Sequence, residues 1–184
     1  YSPTSWFAAV WVVGSVSCVL ETVIVPSVFL QDVFSHFGTE SSVIPNVLDK
    51  TLFFQTNQPV SDQSPHLIVT RNLEAIYDVA TTVRAFALVK KEYPQAQLSI
   101  AGTGPEKQAL TALIAELNLD NHVTFTGRLE EEEMAGLYHE ADIMLNASTV
   151  DNTRNSIIEA LACGTPVVTT DAGGIPKLVT HQHD

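Results

Sequence analysis

Two carboxylates, Asp151 and Glu159, stand eight residues apart around a helix start, in the stretch NASTVDNTRNSIIEALACGTPVVTTDAGGIPKLV at residues 146–179. The stretch reads as a strand end, a polar loop, a short helix, a tight turn, a buried strand and a second glycine-rich loop. Asn155 or Ser156 is the expected helix cap, Gly164 ends the helix and Pro166 follows. This order places acidic groups and backbone N–H donors at the carboxyl ends of parallel strands, where open α/β sheets bind ligands. A helix N-terminus at that place suits a phosphate. Acceptors beside donors point to a ligand that carries both hydroxyl and phosphate groups.

The elements that must hold this site alternate regularly. Short apolar runs are expected as strands at residues 66–70, 97–101, 122–126, 142–146 and 167–170. Helices are expected between them. One spans about residues 77–92, with Val79, Val83 and Phe86 on its inner face and Tyr93-Pro94 as its stop. Another has Pro105 at its first position and Leu110, Leu113, Ile114 and Leu117 facing inward. The acidic run at residues 130–133 opens a third, favoured by the helix dipole. Such alternation predicts an α/β fold, a Rossmann-like parallel sheet with helices on both faces.

The first 60 or so residues differ. A strand is expected near residues 22–25, a helix to about Phe37, and a strand at residues 42–44. A boundary or crossover is expected between Ile44 and Pro65. Residues 6–20 are apolar, but too short to span a bilayer and without a basic lead-in, so they read as a buried or interrupted element.

Composition narrows the function classes. With 45% hydrophobic and 16% charged residues, a packed core is expected. A formal charge of −12 excludes the basic footprint of a nucleic-acid binder and electrostatic docking on anionic lipid. Cys18 and Cys163 fit no CxxC pattern and read as free thiols in a reducing compartment. Gly102-Thr103-Gly104 lacks a third glycine, since Lys107 stands there, so it is no dinucleotide fingerprint. A P-loop and a GxSxG elbow are both missing. No His ligand spacing and no DxD-like pair suggests a metal. Asn146-Ala147-Ser148 matches a glycosylation sequon but falls at a strand end.

Five segments together carry a resemblance: VIPNVLDKTLF (43–53), LIVTRNLE (67–74), LSIAGTGPEK (98–107), VTFTGRL (123–129) and the stretch from Asp151 to Val179. In order and spacing they resemble the carboxyl-terminal, donor-binding domain of family-4 retaining glycosyltransferases, which have the GT-B fold. The resemblance implies a hexosyltransferase that uses a nucleotide-diphosphate sugar, UDP- or GDP-linked, and a glycan or lipid-linked acceptor, with no obligatory cofactor or metal. By resemblance, the catalytic set is Asp151, Glu159 and Arg71. Glu159 would accept the ribose hydroxyls, Asp151 would lie near the donor sugar, and Arg71 would clamp the diphosphate. Gly127 and Arg128 match a turn whose backbone meets the base. Gly102 and Gly104 would let the chain approach the ligand. Arg154, Asn155, Ser156, Gly173 and Gly174 complete the expected binding set.

Two positions depart from the family pattern. Asp151 replaces the usual Glu, and Ile76 stands where the second clamp residue, a Lys, is expected. Arg154 is the candidate substitute. A non-catalytic nucleotide-sugar binding module and a GT-B epimerase therefore remain as alternatives. The expected organisation is a remnant of the acceptor domain and crossover at residues 1–44, followed by a donor-binding domain at residues 45–184, incomplete at its end. The acceptor would be bound by the missing domain, the exposed apolar N-terminal segment would favour self-association, and the fragment alone would be inactive. The expected location is the cytoplasm, either free or peripheral to the inner face of a membrane.

Overall fold

The computed structural model describes residues 23–56, 64–151 and 155–179. The expected apolar element at residues 6–20 lies outside them. Strand β1 (Val23–Val25), helix α1 (Val28–His36) and strand β2 (Ser41–Val43) form a small unit in which the two strands pair in parallel. Ser27 caps α1 by accepting the Leu30 N–H at 3.2 Å. These strands join each other and none of those that follow.

The main body holds β3 (His66–Thr70), α2 (Val79–Glu92), β4 (Gln97–Ala101), α3 (Lys107–Glu116), β5 (Val123–Gly127), α4 (Glu131–Glu140), β6 (Ile143–Asn146), α5 (Asn155–Ala162) and β7 (Val167–Thr169). Its sheet has the order β5-β4-β3-β6-β7, and every pair is parallel. Alternation along β3 sends Leu67 and Val69 to one face and Ile68 to the other. The first face packs Leu98 and Ile100 with Val79, Val83 and Phe86 of α2 and Leu110 and Ile114 of α3. The second packs Ile68, Ala101 and Met144 with Ala135 and Tyr138 of α4, Ala160 of α5 and Phe53. The chain is thus an α/β fold with helices on both faces, as its alternation predicts.

Two helix starts differ from expectation. Residues Ala75–Tyr77 form a 3-10 turn, and α2 begins only at Val79. Asp78 adopts a left-handed conformation (φ 41°) and its carboxylate accepts both the Thr81 N–H (3.3 Å) and the Thr81 hydroxyl (2.7 Å). Asp tolerates that region because its short side chain bonds locally. Pro105 is likewise outside its helix, which starts at Lys107. The Glu106 N–H is drawn instead to the Leu73 carbonyl at 2.9 Å.

That bond belongs to a close backbone contact between the loops after β3 and β4. A Cβ on Gly102 would lie 2.1 Å from the Arg71 carbonyl oxygen, and one on Gly104 would lie 2.3 Å from that of Leu73. The approach expected of these glycines toward a ligand is therefore made toward the chain's own backbone, which it locks in place. Among the described residues no helix is long and apolar enough to cross a membrane.

Gly102 also has φ +150°. Gly102→Ala is expected to cost more than about 2 kcal/mol, through collision with backbone that cannot yield. Urea unfolding of the two proteins checks this, and an unchanged midpoint would contradict the contact.

Candidate functional site

The sheet reverses its winding between β3 and β6, so a crevice opens outside their carboxyl ends. A cavity of about 520 Å³ occupies it. Thr70, Arg71 and Asn72 line it from the end of β3, Met134 and Tyr138 from α4, and Asn155, Ser156 and Glu159 from α5. Pro26 and Asn46 close it from the chain ahead of the main sheet. Its size falls within the range of small-molecule sites, roughly 300–1,000 Å³.

Arg71 is only 4% exposed and Asp151 only 3%. The Arg71 guanidinium donates to Asp151 Oδ2 in a buried ion pair. Its Nε donates to Asn146 Oδ1 at 3.0 Å, and its Cζ sits 5.7 Å from the centre of the Tyr77 ring. Asn146 Oδ1 also accepts the Ser148 hydroxyl (2.6 Å), and its Nδ2 donates to Thr169 Oγ1 (3.0 Å). One network therefore ties the ends of β3, β6 and β7. It also commits the Asn146 amide at both ends within the core. Asp151 lies outside the cavity lining, so the structure brings it to Arg71.

The glycine-rich loop after β7 folds onto Asp151. Gly173 has φ +58°, and a Cβ there would meet the Asp151 carbonyl oxygen at 2.0 Å. The Gly174 N–H donates to that same oxygen at 2.7 Å. It is therefore spent on the chain itself, a correction to its expected role as a phosphate donor. Gly127 accepts the Gly102 N–H at 2.7 Å through its carbonyl. Arg128 is 84% exposed, 4.0 Å from Glu130, and outside the cavity lining. Arg154 falls outside the described residues. Ile76 is exposed, while its carbonyl accepts the N–H and the hydroxyl of Thr149, both at 2.9 Å.

Glu159 sits on the cavity side of α5 with Ser156 one turn before it. The Ser156 hydroxyl oxygen is buried and has no hydrogen-bond partner among the described residues. Glu159 Oε2 accepts from the Tyr138 hydroxyl at 3.1 Å, and that hydroxyl is also 3.1 Å from Thr70 Oγ1. Burial pushes the Glu159 carboxyl above the ordinary carboxylate range, more than the Tyr138 bond pulls it down. Burial, and next the Glu159 charge, push the Tyr138 phenol well up, so it stays protonated. Tyr138, Thr70 and Asn146 are site residues that motif spacing does not reveal. The available signal for Tyr138 is a tyrosine on an inward helix face, whose hydroxyl must find a partner.

A doubly wound α/β domain with a polar cleft at its switch point is the class that this fold and site define. The chain belongs to the Glycosyl transferases group 1 family, whose model matches residues 64–184. It is 29% identical over 143 residues to N-acetyl-alpha-D-glucosaminyl L-malate synthase of Bacillus anthracis, covering 74% of this chain and 37% of that protein. It is 28% identical over 173 residues to alpha-monoglucosyldiacylglycerol synthase of Streptococcus pneumoniae, covering 86% and 38%. The chain thus spans under two fifths of the length of these relatives. Among solved structures, it resembles Anabaena HepE in complex with UDP-glucose, with a TM-score of 0.74, 25% identity and coverage of 87% of this chain and 47% of that one. The pneumococcal O-GlcNAc transferase GtfA, solved with UDP and GlcNAc, shares the fold at a TM-score of 0.75 and 22% identity, with coverage of 88% and 32%.

Asp151→Asn keeps the shape and removes the charge that the buried Arg71 guanidinium pairs with. Breaking a buried pair in this way costs about 3–5 kcal/mol. Thermal unfolding is expected to drop by roughly 10 °C, at about 2–4 °C per kcal/mol for a chain of this size. A shift below about 3 °C would show that the pair is not a structural anchor.

Proposed function

We propose that this chain is the donor-binding part of a glycosyltransferase, and that the cavity holds a nucleotide-diphosphate sugar. The observation that carries the reading is the Glu159 carboxylate, held at the cavity wall beside a buried Ser156 hydroxyl that has no partner among the described residues. An ionised carboxylate takes two hydroxyl donors at once, which suits a ribose diol. The first N–H groups of α5 and the Ser156 hydroxyl suit the diphosphate. Arg71 adds a cation fixed at the same wall, with Asp151 and Asn146 setting its orientation.

The structure of HepE in complex with UDP-glucose supports UDP over GDP as the nucleotide here. The reaction is read as transfer with retention to a glycan or lipid-linked acceptor. The chain's work is to position the donor and stabilise the departing diphosphate. The acceptor then binds across the cleft, on a domain to which residues 1–44 would belong. The pneumococcal relative is named as a synthase of a glucosylated diacylglycerol, which keeps a lipid-linked acceptor and a membrane-peripheral cytoplasmic location within the proposal. No observation favours the binding-module or epimerase readings.

Calorimetric titration with UDP, GDP and their sugar conjugates tests the site. UDP is expected to bind, and Glu159→Ala to weaken it by roughly tenfold or more, the value of a charge-assisted bond. A folded chain that binds no nucleotide would overturn the reading.

Glu159 also predicts a pH signature. Its carboxyl is raised by folding, so the unfolded chain gives up this proton first. Stability from this group is intact below the ordinary carboxylate value, near 4.5, and declines as pH rises through the higher folded value. Glu159→Gln is therefore expected to melt above wild type at pH 7 and level with it at acid pH, while losing nucleotide affinity. A variant that melts lower at pH 7 would show that the charge stabilises the fold.

A further inference from the structure

We infer that Tyr138 is a positioning residue for the donor, acting through Glu159 to set the preference for a ribose over a deoxyribose. The inference rests on the donor reading above. A phenol hydroxyl has one proton and two acceptor lone pairs. Here it stands 3.1 Å from Glu159 Oε2 and 3.1 Å from Thr70 Oγ1. The carboxylate can only accept, so the proton goes to Glu159. With that proton committed, the 3.1 Å contact to Thr70 Oγ1 needs the Thr70 hydroxyl to donate, in competition with Met144 Sδ at 4.0 Å. The Tyr138 oxygen is thereby held between Thr70 Oγ1 and Glu159 Oε2.

The anchor is rigid at both ends. Thr70 closes β3, the central strand of the sheet. The Tyr138 ring is 1% exposed and packs edge-on against Phe53 at 6.1 Å between ring centres. A side chain with two soft torsions beyond χ1, such as Glu, otherwise samples several rotamers along a helix surface. Pinning Oε2 to Tyr138 leaves the other oxygen of a cavity-lining carboxylate for a vicinal diol to meet. Gln or Asn at position 138 would not do this, since neither fills the packed ring site. The family match and the motif spacing assign no role to this tyrosine.

Glu159 shares the cavity wall with Arg71, and Glu131 of α4 also acts on its charge. Loss of the Tyr138 donor removes a bond that favours the ionised form, so the carboxyl rises further. Nucleotide affinity then fails at a higher pH on acidification.

The test compares UDP with 2′,3′-dideoxy-UDP by calorimetry from pH 5 to 8, using wild type, Tyr138→Phe, Thr70→Val and Glu159→Gln. Tyr138→Phe keeps the ring and its packing. It is expected to cut the ribose preference roughly tenfold, as for loss of a bond to a charged group. The acid limb is expected to move to higher pH, since the Tyr138 bond lowers the Glu159 carboxyl's pKa. Thr70→Val, which leaves the ring site intact, is expected to move both in the same direction by less. Glu159→Gln is expected to abolish the preference, and adding Tyr138→Phe to it to change nothing more. A wild type without ribose preference would overturn the donor reading and this inference with it. A preference that Glu159→Gln removes while Tyr138→Phe and Thr70→Val leave it and the acid limb in place would overturn this inference alone.

Discussion

The buried pair of Arg71 and Asp151 is the interaction on which the rest of the site depends. Taking two opposite charges out of water is costly unless each has the other beside it. Asn146 receives one edge of the guanidinium, and Tyr77 lies beneath its face. These bonds tie three strand ends and the loop after β7 together, while Asp151 Oδ1 stays buried with no hydrogen-bond partner among the described residues. Asp151 then fixes Gly173 and Gly174 through its backbone as firmly as it fixes Arg71 through its side chain. The cleft wall is thus a by-product of charge neutralisation, and its shape is set before any ligand arrives.

Glu159 illustrates the opposite balance. Its carboxylate is held in a place where burial disfavours its charge, with a phenol donor that only partly offsets that cost. A fold selected for stability alone would carry an amide or an apolar group there. Local conflict of this kind, set in an otherwise consistent structure, marks the places where chemistry is done. The Ser156 hydroxyl on the same helix is likewise buried with no partner among the described residues.

The fold was readable because its signals are local. Five short apolar runs at residues 66–70, 97–101, 122–126, 142–146 and 167–170 identify the five strands of the main sheet, and the phase of Val79, Val83 and Phe86 identifies the buried face of α2. Glu159, Arg71, Asn155 and Ser156, expected from the family resemblance, all line one cavity. Other features were hidden for physical reasons. Nothing in spacing says that Asp151 turns inward to Arg71, since that pairing joins residues far apart in the chain. Glycines at 102, 104 and 173 look alike whether they make room for a ligand or for another loop, and only the distances decide. Tyr138 was hidden because a tyrosine on an apolar face reads as core until its hydroxyl is followed to its partners.

Ile76 carries a consequence of a different kind. Its neighbours hold it by its carbonyl oxygen, which binds both donors of Thr149, while its side chain stands in solvent. Any residue with a normal backbone provides that carbonyl. The shape of the loop is therefore indifferent to the side chain at this position. Evolution can exchange an apolar group for a charged one there without rebuilding anything around it. The surface charge near the cleft is a freely adjustable variable, separate from the scaffold that makes the cleft.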